Sequence, residues 1–214
     1  MTSSVAAIRG KRPSTPQTPW TEADWTDGND MSRTPYVRSK TLAEQAAWEH
    51  VRSVGAEDRL AVVNPGAIIG PALNDDHSYS LQAIQRLING SMPAAPRLGF
   101  TFVDVRDVAE LHMLAMTSPA AGGERFIAAD EFLWVADVAR VLRERLGDQA
   151  SKVPTRVAPN VLIRALALFD GSLRSVIGDL GKRQWFSSEK ARSLLGWQPR
   201  PVEDSIEETA RSLI

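Results

Sequence analysis

Short apolar runs alternate with longer stretches of helical periodicity along the chain. The apolar runs at 60–63, 100–103 and 126–128 are typical of buried strands in a parallel sheet. Helices are predicted over 34–55, 81–88, 105–115, 133–146, 160–168, 187–195 and 203–213. Strands that alternate with helices indicate an α/β fold with a mostly parallel sheet, of which three or four strands are visible.

The first 35 residues are less regular. Residues 10–35 contain four prolines and a polar run, which predicts an irregular surface loop, and we expect Trp20 and Trp25 to anchor it to the body of the protein. The first long helix is expected to begin at Thr34 as its cap, with Pro35 in the first helical position.

Composition and charge exclude several classes of protein. Hydrophobic residues make up 43% of the 214 residues and charged residues 24%, which disfavours disorder. The 25 basic and 26 acidic side chains leave no basic field for nucleic acid or an anionic membrane. There is no cysteine, and His50, His77 and His112 lack metal-ligand spacing, so no metal site is expected. Without an apolar run of about 18 residues, a cytoplasmic protein is predicted.

The sharpest chemical signal is Tyr36 followed by Lys40. Residues four apart share one face of a helix, so the phenol and the ammonium can point at one site. A nearby cation favours the phenolate and so lowers the pKa of a tyrosine toward neutral pH, where the phenol can then give up its proton as a general acid. The spacing alone leaves open that both side chains merely lie on a solvated helix face.

Further segments place this pair in a family. The chain resembles the extended short-chain dehydrogenase/reductases of the NAD-dependent epimerase/dehydratase superfamily, and within them the dihydroflavonol reductase-like branch. The segments that carry the resemblance are Thr2-Ser3-Ser4, the run from Tyr36 to Trp48, Asn64-Pro65-Gly66 with Gly70-Pro71, the run from Phe102 to Ala109, and more loosely Ser188 to Trp197.

The resemblance implies roles for individual residues. Tyr36 is the expected proton donor to the substrate carbonyl, and Lys40 the residue that binds the nicotinamide ribose and favours the phenolate. Ser4 is expected to hydrogen-bond the carbonyl, with Ser3 as the alternative if the match is shifted by one residue. Pro65-Gly66 is expected to shape the loop against the nicotinamide carboxamide, mostly through backbone atoms.

The resemblance also implies an architecture: the C-terminal part of a Rossmann-type doubly wound parallel sheet with a smaller, mostly helical substrate-binding cap. The second half of the Rossmann core is expected at 1–71 and its return at 101–129. A cap insertion is expected at 72–100, and the C-terminal cap at 130–214, where Trp185, Phe186 and Trp197 are expected to pack.

The implied function is NAD(P)H-dependent reduction of a small ketone or aldehyde, with NADP preferred over NAD and a homodimer as a possible assembly. A nucleotide-sugar epimerase or dehydratase is the alternative within the superfamily. A non-catalytic binding remnant is the alternative of another class.

The sequence departs from the family in one large respect. The glycine-rich turn of the family, G-x-x-G-x-x-G, which holds the pyrophosphate at a helix N-terminus, has no counterpart here. We expect the chain to be a fragment, or the product of a start codon assigned too late, rather than a true short protein. The isolated chain is then expected to bind NAD(P)H weakly or not at all.

Overall fold

A computed structural model describes residues 1–74, 77–169 and 176–214. The chain divides into two compact units. The first unit comprises residues 1–66, 105–130 and 184–199, and the second comprises 67–104, 131–183 and 200–214. The helices of the described residues are α1 (Pro35–Ser53), α2 (Tyr79–Ile88), α3 (Val105–Thr117), α4 (Val135–Leu146), α5 (Asn160–Leu166), α6 (Glu189–Leu195) and α7 (Val202–Ser212). The strands are β1 (Val62–Pro65), β2 (Ala67–Ile69), β3 (Ala95–Pro96), β4 (Gly99–Asp104), β5 (Arg125–Ala128), β6 (Phe132–Trp134) and β7 (Val157–Ala158).

Helix α1 begins where the sequence predicts. The hydroxyl of Thr34 accepts the amide of Val37 at 3.4 Å, and Pro35 occupies the first turn, where its missing N–H costs nothing. The helix ends just before Gly55, whose φ of 64° lies in the left-handed region that favours glycine. The cap and the terminator therefore fix the position of the longest helix.

The sheet of the first unit is parallel. Strand β1 pairs with β5 in parallel register, Val63 opposite Phe126. On its other side, β1 pairs with the start of the chain, since the Ser3 amide donates to the Val63 carbonyl at 2.8 Å and the Val63 amide donates to the Met1 carbonyl at 2.9 Å. Residues 1–3 therefore occupy a strand position beside β1.

The second unit has a mixed sheet and a continuous apolar core. Strand β4 pairs with β2 in parallel and with β6 antiparallel, and β3 pairs with β7 in parallel. Its core joins side chains of these strands to α2, α4 and α7, with Ile84, Leu142 and Ile206 almost fully buried. The predicted α/β fold is confirmed, with more and shorter strands than the sequence patterns revealed.

The observed units differ from the predicted segments in two places. Residues 184–199, part of the segment predicted as the C-terminal cap, lie in the first compact unit, where the buried Trp197 indole donates to the Asp107 carbonyl at 2.9 Å and Phe186 packs on Trp20. Residues 101–104 belong to the second unit, because β4 pairs there with β2. The predicted segments 72–100 and 130–214 each include a stretch outside the described residues.

Candidate active site

The tyrosine and a serine from the start of the chain lie side by side in the first unit. Tyr36 is in the first turn of α1 with its side chain 57% exposed, and its hydroxyl lies 3.5 Å from the Ser4 hydroxyl. This separation is longer than the usual O–H···O bond of about 2.7–2.8 Å. A carbonyl oxygen placed beside the two hydroxyls can accept a hydrogen bond from each.

Ser4 is held by its local backbone. Its hydroxyl accepts the Ala6 amide at 3.1 Å and caps the 3₁₀ turn Val5–Ala7. Its carbonyl accepts the side-chain amide of Asn64, also at 3.1 Å. The hydroxyl oxygen is therefore fixed in place, and its own proton remains available to another acceptor.

The alternative serine faces elsewhere. The hydroxyl of Ser3 donates to the Glu44 carboxylate at 2.5 Å, inside the unit. Successive residues of an extended segment point to opposite sides, so only one of the two serines can face Tyr36. Of the two positions considered from the sequence, Ser4 is the one beside the phenol.

Lys40 lies one turn after Tyr36 on α1, and both side chains project from the same face of the helix. Among the described residues it has no hydrogen-bond or ion-pair partner. Several other cations of the first unit are paired with carboxylates, as Arg12 is with Asp24 at 2.8 Å. The Lys40 ammonium is thus available for a ligand's hydroxyl groups.

The predicted loop residues follow directly on strand β1. Pro65 is its last residue and is buried, whereas Gly66 is partly exposed. The Gly66 amide donates to the Ala128 carbonyl of β5 at 3.0 Å, so it continues the sheet instead of pointing at a ligand. Any contact of this turn with a cofactor must use other backbone atoms.

A buried polar cluster behind these residues was not found from the sequence. Its centre is Glu44 of α1, fully buried, which pairs with Arg125 of β5 at 2.6 Å. The carboxylate also accepts from Ser3 and from Asn64. The buried positions of α1 are Val37, Thr41, Glu44 and Trp48. This helical spacing includes Glu44 and could have indicated that a carboxylate lies on the inner face.

The long loop of the first unit is anchored to this cluster. The Arg125 guanidinium stacks over the Trp25 ring at 3.7 Å and donates to the carbonyls of Glu22 and Asp24. Burial raises the pKa of Glu22 above its ordinary value, although its carboxylate accepts the Ile127 amide at 3.0 Å. The expected anchoring role of Trp25 thus has a physical basis, and Trp20 is buried against Phe186.

The part of the chain that the structure describes offers neither a metal site nor a membrane-spanning helix. It holds no group of three or more side chains that could ligate a metal ion. The His112 ring instead contacts the Thr2 hydroxyl at 2.8 Å. Over the same residues, every helix is too short or too polar to cross a bilayer.

Comparison with known proteins gives a consistent set of relatives. A cinnamoyl-CoA reductase of Medicago truncatula is 34% identical over 219 residues, a match that covers 100% of this chain and 59% of the relative. An NADPH-dependent methylglyoxal reductase of Saccharomyces cerevisiae is 26% identical and covers 91% of this chain and 55% of the relative. The crystal structure of a yeast methylglyoxal/isovaleraldehyde reductase complexed with NADPH has a TM-score of 0.73 at 24% identity, over 99% of this chain and 62% of that one, and shows the shared fold.

These matches agree with the family model for this sequence. The chain spans about 60% of the length of the relatives it matches. The model of the NAD dependent epimerase/dehydratase family matches residues 1–129, which include Ser4, Tyr36, Lys40 and both strands of the first unit's parallel pair. The predicted resemblance is confirmed: the chain belongs to the NAD dependent epimerase/dehydratase family.

Proposed function

We propose that this chain carries the catalytic half of an NADPH-dependent reductase that converts a small ketone or aldehyde into the alcohol. The observation that carries the proposal is the Tyr36 hydroxyl 3.5 Å from the Ser4 hydroxyl, with the ammonium of Lys40 one helical turn away. The relatives named as cinnamoyl-CoA and methylglyoxal reductases support this reaction class and favour NADPH over NADH.

Each of the three residues has a separate task in this reaction. When bound, the nicotinamide supplies a hydride to the carbonyl carbon. Ser4 donates a hydrogen bond that polarises the carbonyl oxygen, and Tyr36 transfers its phenolic proton to that oxygen as negative charge develops there. Lys40 stabilises the phenolate left behind, which regains a proton from water.

The chain fits one end of the cofactor. Since Lys40 has no hydrogen-bond or ion-pair partner among the described residues and lies on the Tyr36 face of α1, its ammonium can bind the hydroxyls of the nicotinamide ribose. A glycine-rich turn for the pyrophosphate is not present in the 214 residues. We propose that a glycine-rich βαβ segment outside this sequence binds the phosphates. The cap segments, the homodimer and the cytoplasmic location stay predictions.

Expression of the chain alone and together with the sequence encoded upstream of Met1 tests this proposal. Each form is titrated with NADPH by fluorescence and then assayed for NADPH oxidation with methylglyoxal and with an aromatic aldehyde. We expect turnover from the extended form and little NADPH binding by the chain alone. Saturable sub-millimolar binding by the chain alone would overturn the proposed division of the cofactor site, and an extended form that binds NADPH but reduces none of the aldehydes would overturn the reductase.

A further inference from the structure

The Glu44 carboxylate contacts four segments of the first unit at once. Its oxygens accept from Ser3 at 2.5 Å, from Asn64 at 2.8 Å and from Arg125 at 2.6 Å, and the indole of Trp48 lies 3.4 Å away. These donors belong to the start of the chain, β1, β5 and α1 itself. A single side chain thus joins the elements of the unit at one buried point.

The contacts fall next to the residues of the candidate site. Ser3 precedes Ser4, and Asn64 precedes Pro65. The Asn64 amide group donates both to Glu44 and to the Ser4 carbonyl, so it links the carboxylate to Ser4 by a second route. Glu44 itself lies two turns after Tyr36 on the same rigid helix. Movement of Glu44 would therefore shift Ser4 relative to Tyr36.

Burying this ion pair is costly, which argues against a role in stability alone. Glu44 is fully buried and Arg125 is 7% exposed. Desolvation of two charges usually offsets their attraction, so apolar residues of similar volume often stabilise a protein as well or better. An apolar pair would fill the space but would carry no directional hydrogen bonds to Ser3 and Asn64.

We propose that Glu44 is a positioning residue that fixes the Ser4 hydroxyl and the Asn64-Pro65-Gly66 turn relative to Tyr36. The proposal rests on the proposed reductase for its effect on turnover, but its geometric part can be measured without activity. Among the described residues, no hydrogen bond or ion pair joins Glu44 to Tyr36 or Lys40, so it acts through Ser3 and Asn64.

The test replaces the two charged side chains by apolar side chains of similar volume. In the double variant Glu44→Leu/Arg125→Met both charges are removed together, so neither remains buried without its partner. The Ala6 amide, which donates to the Ser4 hydroxyl, reports the orientation of that hydroxyl through its NMR shift and hydrogen exchange in the 214-residue chain. We expect the double variant to fold, with a shifted and faster-exchanging Ala6 amide.

Ser3→Ala provides a second, milder variant that removes only one of the hydrogen bonds to Glu44. Its matched control is Ser205→Ala in the second unit, another buried serine, whose hydroxyl has no hydrogen-bond partner within residues 1–74, 77–169 and 176–214. We expect Ser3→Ala to alter the Ala6 amide and Ser205→Ala to leave it unchanged. If the double variant does not fold, this pair of serine variants decides the proposal.

In the form that turns over carbonyl substrates, the double variant should lower kcat by about 10- to 100-fold with KM for NADPH unchanged, because misplacement of about 1 Å costs up to about 100-fold. A double variant with the native Ala6 signal and native kcat would overturn the positioning role. If Tyr36→Phe also retains full turnover, the reductase proposal is the one that fails, and the Ala6 signal still decides the role of Glu44.

Discussion

Both units bury apolar side chains, but the first also encloses an ion pair in which both partners are buried. In the first unit, the fully buried Glu44 pairs with Arg125, and Asn64 bridges both the carboxylate and the backbone of Ser4. In the second unit, the core is one apolar cluster that runs from Ile69 to Ala210. Burial of hydrogen-bonded polar groups costs stability but fixes the orientation of the groups that they contact. Burial of apolar side chains stabilises the fold without fixing such orientations. The unit that carries the candidate catalytic residues is the one with the directional core.

Loss of one charge of the buried pair should have the largest effect on stability. Arg125→Met leaves the Glu44 carboxylate buried without its cation, and we expect a loss of about 3–5 kcal/mol of unfolding free energy. Urea unfolding followed by circular dichroism measures the loss in either unit, because both units contain helices. The control is Arg140→Met, which removes an exposed pair with Glu144 and should change stability by no more than about 0.5 kcal/mol. Equal losses of unfolding free energy in the two variants would contradict the claim that the buried ion pair of the first unit contributes more than an exposed pair of the second.

A steric test in the first unit should have a smaller effect. A Cβ added at Gly122 would lie 2.2 Å from the backbone carbonyl oxygen of Asp58, which cannot rotate away as a side chain could. Gly122→Ala should therefore cost about 1–3 kcal/mol, as overpacking usually does. Urea unfolding measures it, and a stability equal to that of the parent would mean that these two backbone segments can separate freely.

Truncation of a buried side chain in the second unit should reduce the stability by still less. Ile206 of α7 is fully buried in the apolar cluster, and Ile206→Val removes one methylene, for an expected loss of about 0.5–1.5 kcal/mol. Thermal unfolding followed by circular dichroism measures this change. An unchanged stability would indicate that the second unit is loosely packed. The contrast between the cores of the two units would then not hold for the second unit.

The smallest expected effect depends on pH. Because burial raises the pKa of Glu22 above 4.5, the folded state holds the proton more tightly than the unfolded state. The contribution of Glu22 to the free energy of unfolding is therefore greatest at low pH, and it falls as the pH rises through the raised pKa. Glu22→Gln should stabilise the protein near about pH 7 and make little difference near about pH 4. Urea unfolding at both values tests the sign, and a variant less stable than the parent at the higher pH would contradict it.

Local sequence signals predicted the elements whose start is set by one or two residues or whose apolar run is long enough to recognise. Thr34 and Pro35 set the start of α1, and apolar runs marked β1 and β5. Strands of two or three residues, such as β3 and β6, are too short for their periodicity to show in the sequence. Their existence depends on pairing with distant segments.

Only those site residues that local spacing or the family resemblance can reveal were predicted from the sequence. Tyr36 and Lys40 are four residues apart and visible in any helical reading, and the choice of Ser4 came from resemblance. Glu44 and Arg125 are 81 residues apart, so no local pattern joins them. A carboxylate on a helix is usually solvated, and only the positions of Val37, Thr41 and Trp48 around it indicate otherwise.

The most direct test of the account compares the two tyrosines of the chain. Tyr36 lies beside Ser4, whereas Tyr79 of the second unit is 90% exposed, and in each case substitution by phenylalanine removes one hydroxyl. In the form that reduces carbonyl substrates, Tyr36→Phe should lower kcat at least about 100-fold with an unchanged fold, because a positioned general acid contributes that much. Tyr79→Phe should lower kcat far less, because its exposed hydroxyl is not beside Ser4. Equal kcat values for the two variants would contradict the assignment of Tyr36 as the proton donor.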